Sequence, residues 1–279
     1  MPLRSPLTLL LLLIPALAVG DGYILGAGLQ ADDADGAGAT LFGDFSIGER
    51  TWLSTAVGRN TVELPSGTES ETLYADIGVD RRFDDVGMRL TVAYRGDSDL
   101  LDSLDLRGTL YARGENGSLD FEVEYRDFEF ELPPLDFLPR TTFPFHAIGV
   151  GVTGSVNVGD NLDFYLGAKH YDYSVPFRRQ ESDRLRPLLA LSRLSVFSSL
   201  VDWRMSAGVG IDAGNQRWSL DLAAWHGAID NSDNESITLS FLTPLTSRID
   251  VEFGIGQDRS NLYGDVTVAS LLLFVYGGH

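Results

Sequence analysis

Charged residues recur at alternate positions in several stretches of this chain, and that spacing carries its most specific chemistry. Asp105 and Arg107, then Asp120, Glu122 and Glu124, stand two residues apart. Asp163 and Lys169 share the same parity, as do Asp202 and Arg204, and the trio Arg248, Asp250 and Glu252. Side chains an even number of residues apart share one face of an extended strand. Acids and bases collected on such a face pair across neighbouring strands, and where the face lines a passage its charges select among solutes. These twelve residues form the expected lumen-lining set. A second group, Arg178, Arg179, Arg184, Arg186 and Arg193, lies in an insertion over 176–197. It suits a constriction folded inward, or contact with lipid phosphates outside, since guanidinium forks grip phosphate well.

Other chemistry is poorly served. No His pair has metal-ligand spacing, cysteine is absent, no Ca-binding loop occurs and the glycines form no phosphate loop. No metal, no cofactor and no catalytic residue is expected.

The element that must position these charges is clearest over 119–132, LDFEVEYRDFEFEL. Leu119, Phe121, Val123 and Tyr125 alternate with Asp120, Glu122, Glu124 and Arg126, a strand with one apolar and one charged face. At Arg126-Asp127 the pattern slips and resumes with Phe128, Phe130 and Leu132 against Asp127, Glu129 and Glu131, so a bulge or a change of surroundings is expected there. Fourteen residues is long for a strand of a soluble sandwich. It is ordinary where an apolar face meets lipid and a charged face meets a wet interior.

Residues 1–20 carry a lone Arg4, the apolar run Leu9–Ile14 and small residues at Ala16, Ala18 and Gly20, the pattern of a removed secretory signal. No later apolar run is long enough to span a bilayer as a helix. The net charge of −19 argues against a nucleic-acid partner. With no cysteine in an exported chain, stability must come from the sheet itself.

Alternating segments continue to the end and number about fourteen, twelve and sixteen being the alternatives. Connections after even-numbered strands are turns of a few residues. Those after odd-numbered strands are mostly longer, the longest near 133–146 and 176–197. Pro and aromatic residues in PPLDFLPRTTFPFH mark the first as a loop. Short turns on one side and long loops on the other describe an all-β, transmembrane, antiparallel up-and-down barrel, a single domain over 21–279.

From residue 21 on, the chain resembles bacterial outer-membrane β-barrel proteins of porin-like type, with no subfamily motif. The last strand is similar to the signal such proteins offer the barrel-insertion machinery, with Val266, Val268, Leu272, Phe274 and Tyr276 alternating; the chain then runs on to His279. The resemblance implies a monomer in the bacterial outer membrane, among its lipids and lipopolysaccharide, passing small hydrophilic solutes. A plugged structural or export-accessory barrel is the alternative. A lipid-modifying enzyme ranks third. His170, His226 and Ser199 share the apolar phase, yet the His-x-Ser spacing of barrel lipid hydrolases is missing, and His beside Tyr and Trp suits an interfacial aromatic belt.

Overall fold

The computed structural model describes residues 22–63, 69–97, 101–132, 141–174, 200–228, 231–262 and 264–278. The expected signal segment, the five insertion arginines and Ser199 lie outside the described residues. Fourteen strands follow in chain order: β1 (Gly22–Asp32), β2 (Ala37–Gly48), β3 (Thr51–Glu63), β4 (Glu69–Phe83), β5 (Val86–Asp97), β6 (Leu101–Gly114) and β7 (Gly117–Leu132), then β8 (Thr141–Val158), β9 (Leu162–Tyr173), β10 (Val201–Ala213), β11 (Gln216–Gly227), β12 (Asp233–Thr246), β13 (Ile249–Ser260) and β14 (Gly264–Gly278). Each pairs antiparallel with its chain neighbours, and β1 pairs with β14 to close the barrel. Closure leaves no sheet edge, which a bilayer demands of a β-protein.

The seam runs from Gly22↔Gly278 to Asp32↔Val268. Just beyond it the Asp33 carboxylate accepts the Thr267 backbone N–H at 2.8 Å. Bonds from Thr267 hold that exposed carboxyl below its ordinary pKa. On the opposite side, turns of two residues, or three after β8, end the even-numbered strands; Asp84, with φ of 58°, and Gly214, with φ of 68°, take the left-handed conformation that reverses the chain tightly.

Outward positions are apolar. Leu90, Leu104, Leu106, Leu110, Phe121, Val150 and Leu166 are exposed on the outer surface, an arrangement stable only against lipid. Aromatic residues gather at both borders of this belt. Near the turns Trp218 packs on Phe241 with ring centroids 4.5 Å apart; near the loops Trp203 stacks on His226 at 6.5 Å and Tyr125 on His146 at 5.7 Å. Such girdles mark the two membrane–water interfaces.

Three expectations about elements change. The loop placed at 133–146 is shorter, because β8 begins at Thr141 and pairs with β7 through Pro144↔Glu129. His146 directs both backbone groups toward Ser174, so Pro144, two residues earlier, aims its donor-less nitrogen away from β7, beyond the end of β9. A proline is harmless there. By sequence the twelfth strand is expected near Ser236–Leu242, interrupted by Pro244, yet β12 runs on through that proline, where its pairing with β13 shifts register. Finally, β7 has no bulge at Arg126-Asp127; its register to β6 and β8 is unbroken. What changes is the surroundings. Above Tyr125 the outward side chains Asp127 and Glu129 are exposed, while the inward Phe128 and Phe130 are buried.

Candidate functional site: the inner wall

The inward face of β4 to β10 is a wall of paired charges. Arg107 on β6 reaches Glu124 on β7 at 3.0 Å and lies 3.7 Å from Glu122. Lys169 on β9, the only lysine of the chain, bonds both Glu122 and Glu124. Arg126 donates to Asp105 at 3.1 Å, both being nearly inaccessible to solvent. Its guanidinium also lies over the Phe128 ring, 4.8 Å from the centroid. Further round, Arg89 on β5 pairs with Asp80 on β4 at 2.8 Å, and Arg217 on β11 pairs with Asp163 on β9 at 2.5 Å.

Several of these bonds skip a strand, and inward glycines make the skips sterically open. Lys169 and Tyr171 on β9 meet the glutamates of β7 across β8, where the intervening positions are Gly151 and Gly149. A Cβ on Gly149 would stand 2.6 Å from the Tyr171 ring. The same device recurs on β10, where Gly208 lets Tyr165 of β9 donate to Asp221 of β11 at 2.7 Å. Gly87 on β5 lets Tyr111 of β6 reach Asp80 of β4. At the seam Gly26 lets the rings of Phe42 and Phe274 meet edge to face at 5.7 Å.

The opposite wall mixes small groups with the acids Asp221, Asp250 and Glu252 and the apolar Leu272 and Phe274. Inward positions from β11 through the seam include Ser219, Thr238, Ser240, Gly254, Gly256, Ser270 and Gly28. Space remains beside the charged wall: a cavity of about 240 Å3 is lined by Phe42, Asp44, Ser54, Asp76, Arg89, Thr91, Arg107, Thr109 and Glu122.

Toward the loop end the inner wall turns apolar. Leu101, Phe128, Phe130, Phe145, Ala147, Tyr171, Leu200 and Val201 form one buried cluster, with Tyr173 and Trp225 packed against it. Phe128 and Phe145 stack 4.7 Å apart, and the Tyr173 hydroxyl donates to the Val201 carbonyl at 2.9 Å.

Of the expected lumen set, Asp105, Arg107, Asp120, Glu122, Glu124, Asp163, Lys169, Arg204, Asp250 and Glu252 occupy inward register positions. Two members do not. Arg248 is exposed in the turn between β12 and β13. Asp202 sits where the register of β10 shifts against β11, an extra residue that rotates out of phase, and its carboxylate lies 3.7 Å from Nδ1 of the outward His170. The same bulge turns Val201, which shares the parity of the outward Trp203 and Met205, into the buried cluster. Pairing was expected between adjacent strands and occurs there, but the bonds across glycines were not foreseen. Arg89, Arg95, Arg126 and Tyr171 were also left out of the set, although each shares the charged phase of its strand.

His226 donates from Nδ1 to the Asp233 carboxylate, 2.8 Å away, on the outer rim. No described serine or threonine hydrogen-bonds to it, and between His226 and His170 on β10 stands Trp203.

No family model and no curated protein matches the sequence. Among solved structures the chain is similar to the CymD monoaromatic hydrocarbon channel, with a TM-score of 0.61 at 10% identity over 94% of this chain and 90% of that one. It is also similar to the outer membrane protein Omp33 of Acinetobacter baumannii, with a TM-score of 0.52 at 10% identity over 92% of this chain and 99% of that one. At such identity the likeness is one of fold. That fold, with the lipid-facing belt, is a bacterial outer-membrane β-barrel.

Proposed function

We propose that the protein is a passive channel of the bacterial outer membrane, admitting small hydrophilic solutes past a charged lumenal wall. The observation that carries this reading is the make-up of the inner surface: most large ions are paired with one another along β4 to β11, while many inward positions from β11 to β1 are hydroxyl-bearing residues or glycine. Ion pairing pins the long side chains to one wall and keeps them from filling the interior. Small polar groups opposite leave room for water and offer hydrogen bonds to a solute. The outer surface contacts the outer-membrane lipids, with lipopolysaccharide at the loop border, and β14 is the strand offered to the insertion machinery. A single closed barrel needs no partner copy.

The apolar cluster around Phe128 favours a second reading, a barrel closed at its loop end with a structural or export-accessory role. Liposome swelling separates the two. Vesicles carrying the refolded protein should swell in isosmotic arabinose faster than protein-free vesicles; equal rates would contradict the channel and leave the closed barrel.

A further inference from the structure

Two buried hydroxyls on the charged wall have no hydrogen-bond partner. Thr72 on β4 and Ser103 on β6 are each 2% exposed, and neither Oγ is satisfied among the described residues. Buried polar groups are nearly always bonded, so a pair of orphans on one face calls for an account. Both flank Arg95 of β5. Ser103 is its direct cross-strand partner, which sets the Cβ atoms about 5 Å apart, and Thr72 is the diagonal neighbour through Tyr74.

Arg95 differs from most inward cations and, like Arg204 over Trp225, faces an aromatic ring instead of an acid. Arg89, Arg107, Arg126, Lys169 and Arg217 all hold a carboxylate. Arg95 forms no ion pair among the described residues; its guanidinium lies over the Tyr74 ring, 5.4 Å from the centroid. The Tyr74 hydroxyl is taken by Asp76, and Asp105, the acid on β6 next to Ser103 in phase, is held by Arg126. A braced guanidinium with unused N–H groups thus stands between two unused hydroxyl donors, with the charge of Arg126 nearby.

We propose that Arg95, Thr72 and Ser103 form an oxyanion-binding site in the loop-side half of the lumen, recognising a carboxylate or phosphate group. The planar fork supplies two parallel N–H donors and the hydroxyls can turn their O–H groups to supply the lateral ones, a set with no carboxylate among its members. Tyr74 keeps the fork from folding back onto neighbouring acids. The site rests on the lumen being open to solutes, as the channel reading requires.

The refolded full barrel in detergent, titrated calorimetrically with sodium acetate and, separately, with inorganic phosphate, tests the site. The comparison includes Arg95→Gln, the milder Ser103→Ala, and Arg50→Gln in an exposed turn as a control. Heat-shifted electrophoretic mobility establishes that each variant folds. Wild type and Arg50→Gln should bind at least one of the two anions equally well. Arg95→Gln should weaken that binding about tenfold or more, and Ser103→Ala by a smaller factor. Binding of acetate alone assigns a carboxylate site, and binding of both assigns a general oxyanion site. No binding of either, or binding unchanged in Arg95→Gln, overturns the proposal. Arabinose swelling keeps the two conclusions separate: a barrel that admits the sugar without Arg95-dependent binding loses only the site, and one that binds without admitting sugar loses only the channel.

Discussion

The Tyr171 hydroxyl on β9 donates to Glu124 on β7 at 2.6 Å, passing over Gly149 of the strand between them. Glu124 is 1% exposed, and Arg107, Lys169 and Tyr171 all bond to it, so this carboxylate is the centre of the charged wall. Filling the gap should break the arrangement from a distance. Gly149→Leu is expected to displace Tyr171 and lower stability by at least the ~1.5–3 kcal/mol of a hydrogen bond to a charged group. Urea titration of the folded band in detergent measures it. Tyr171→Phe, which loses the bond without a clash, should cost less, and equal losses would contradict the gap mechanism.

The Arg126–Asp105 pair allows a double-variant comparison. Removing one partner, as in Asp105→Ala, leaves a buried charge and should cost about 3–5 kcal/mol. The joint replacement Arg126→Met with Asp105→Ala should recover much of that loss. Additive losses would mean that the pair is more solvated than its burial indicates.

Lys169 neutralises two glutamates, so Lys169→Met leaves Glu122 and Glu124 with Arg107 as their one ion-pair partner among the described residues. In a KCl gradient across a planar bilayer, the reversal potential should move toward that of potassium. An unchanged potential would place these glutamates away from the ion path.

Face assignment can be checked by charge insertion. Leu106 and Thr109 lie on β6 with opposite orientation, Leu106 on the exposed belt and Thr109 lining the lumenal cavity. Leu106→Arg should destabilise by about 2–4 kcal/mol near mid-membrane. Thr109→Arg should leave stability nearly unchanged and alter conductance.

Much of this architecture was legible because a strand's period is two. The alternation over 119–132 separates Glu122 and Glu124 from Phe121 and Val123 without reference to any other strand, and the same parity matches the inward register of ten of the twelve expected residues. Parity fails where the chain adds a residue: the bulge at Asp202 reverses the phase of Val201, and only pairing with β11 reveals it. It is also silent about polarity inversion. Phe128 and Phe130 read as a slip in pattern because inside and outside exchange character where β7 leaves the bilayer. The contacts across Gly149 and Gly208 lie beyond parity altogether, since they depend on which glycine falls opposite which long side chain. That needs the register of three strands at once. Pro144 misled for a related reason: its tolerance depends on where the neighbouring strand ends.

Single-channel recording asks whether the lumen conducts. The refolded barrel in planar bilayers should show discrete openings, and Phe128→Ala, which trims the buried cluster at the loop end of the wall, should raise the conductance. Silent bilayers from correctly folded protein, in wild type and Phe128→Ala alike, would contradict a passive channel.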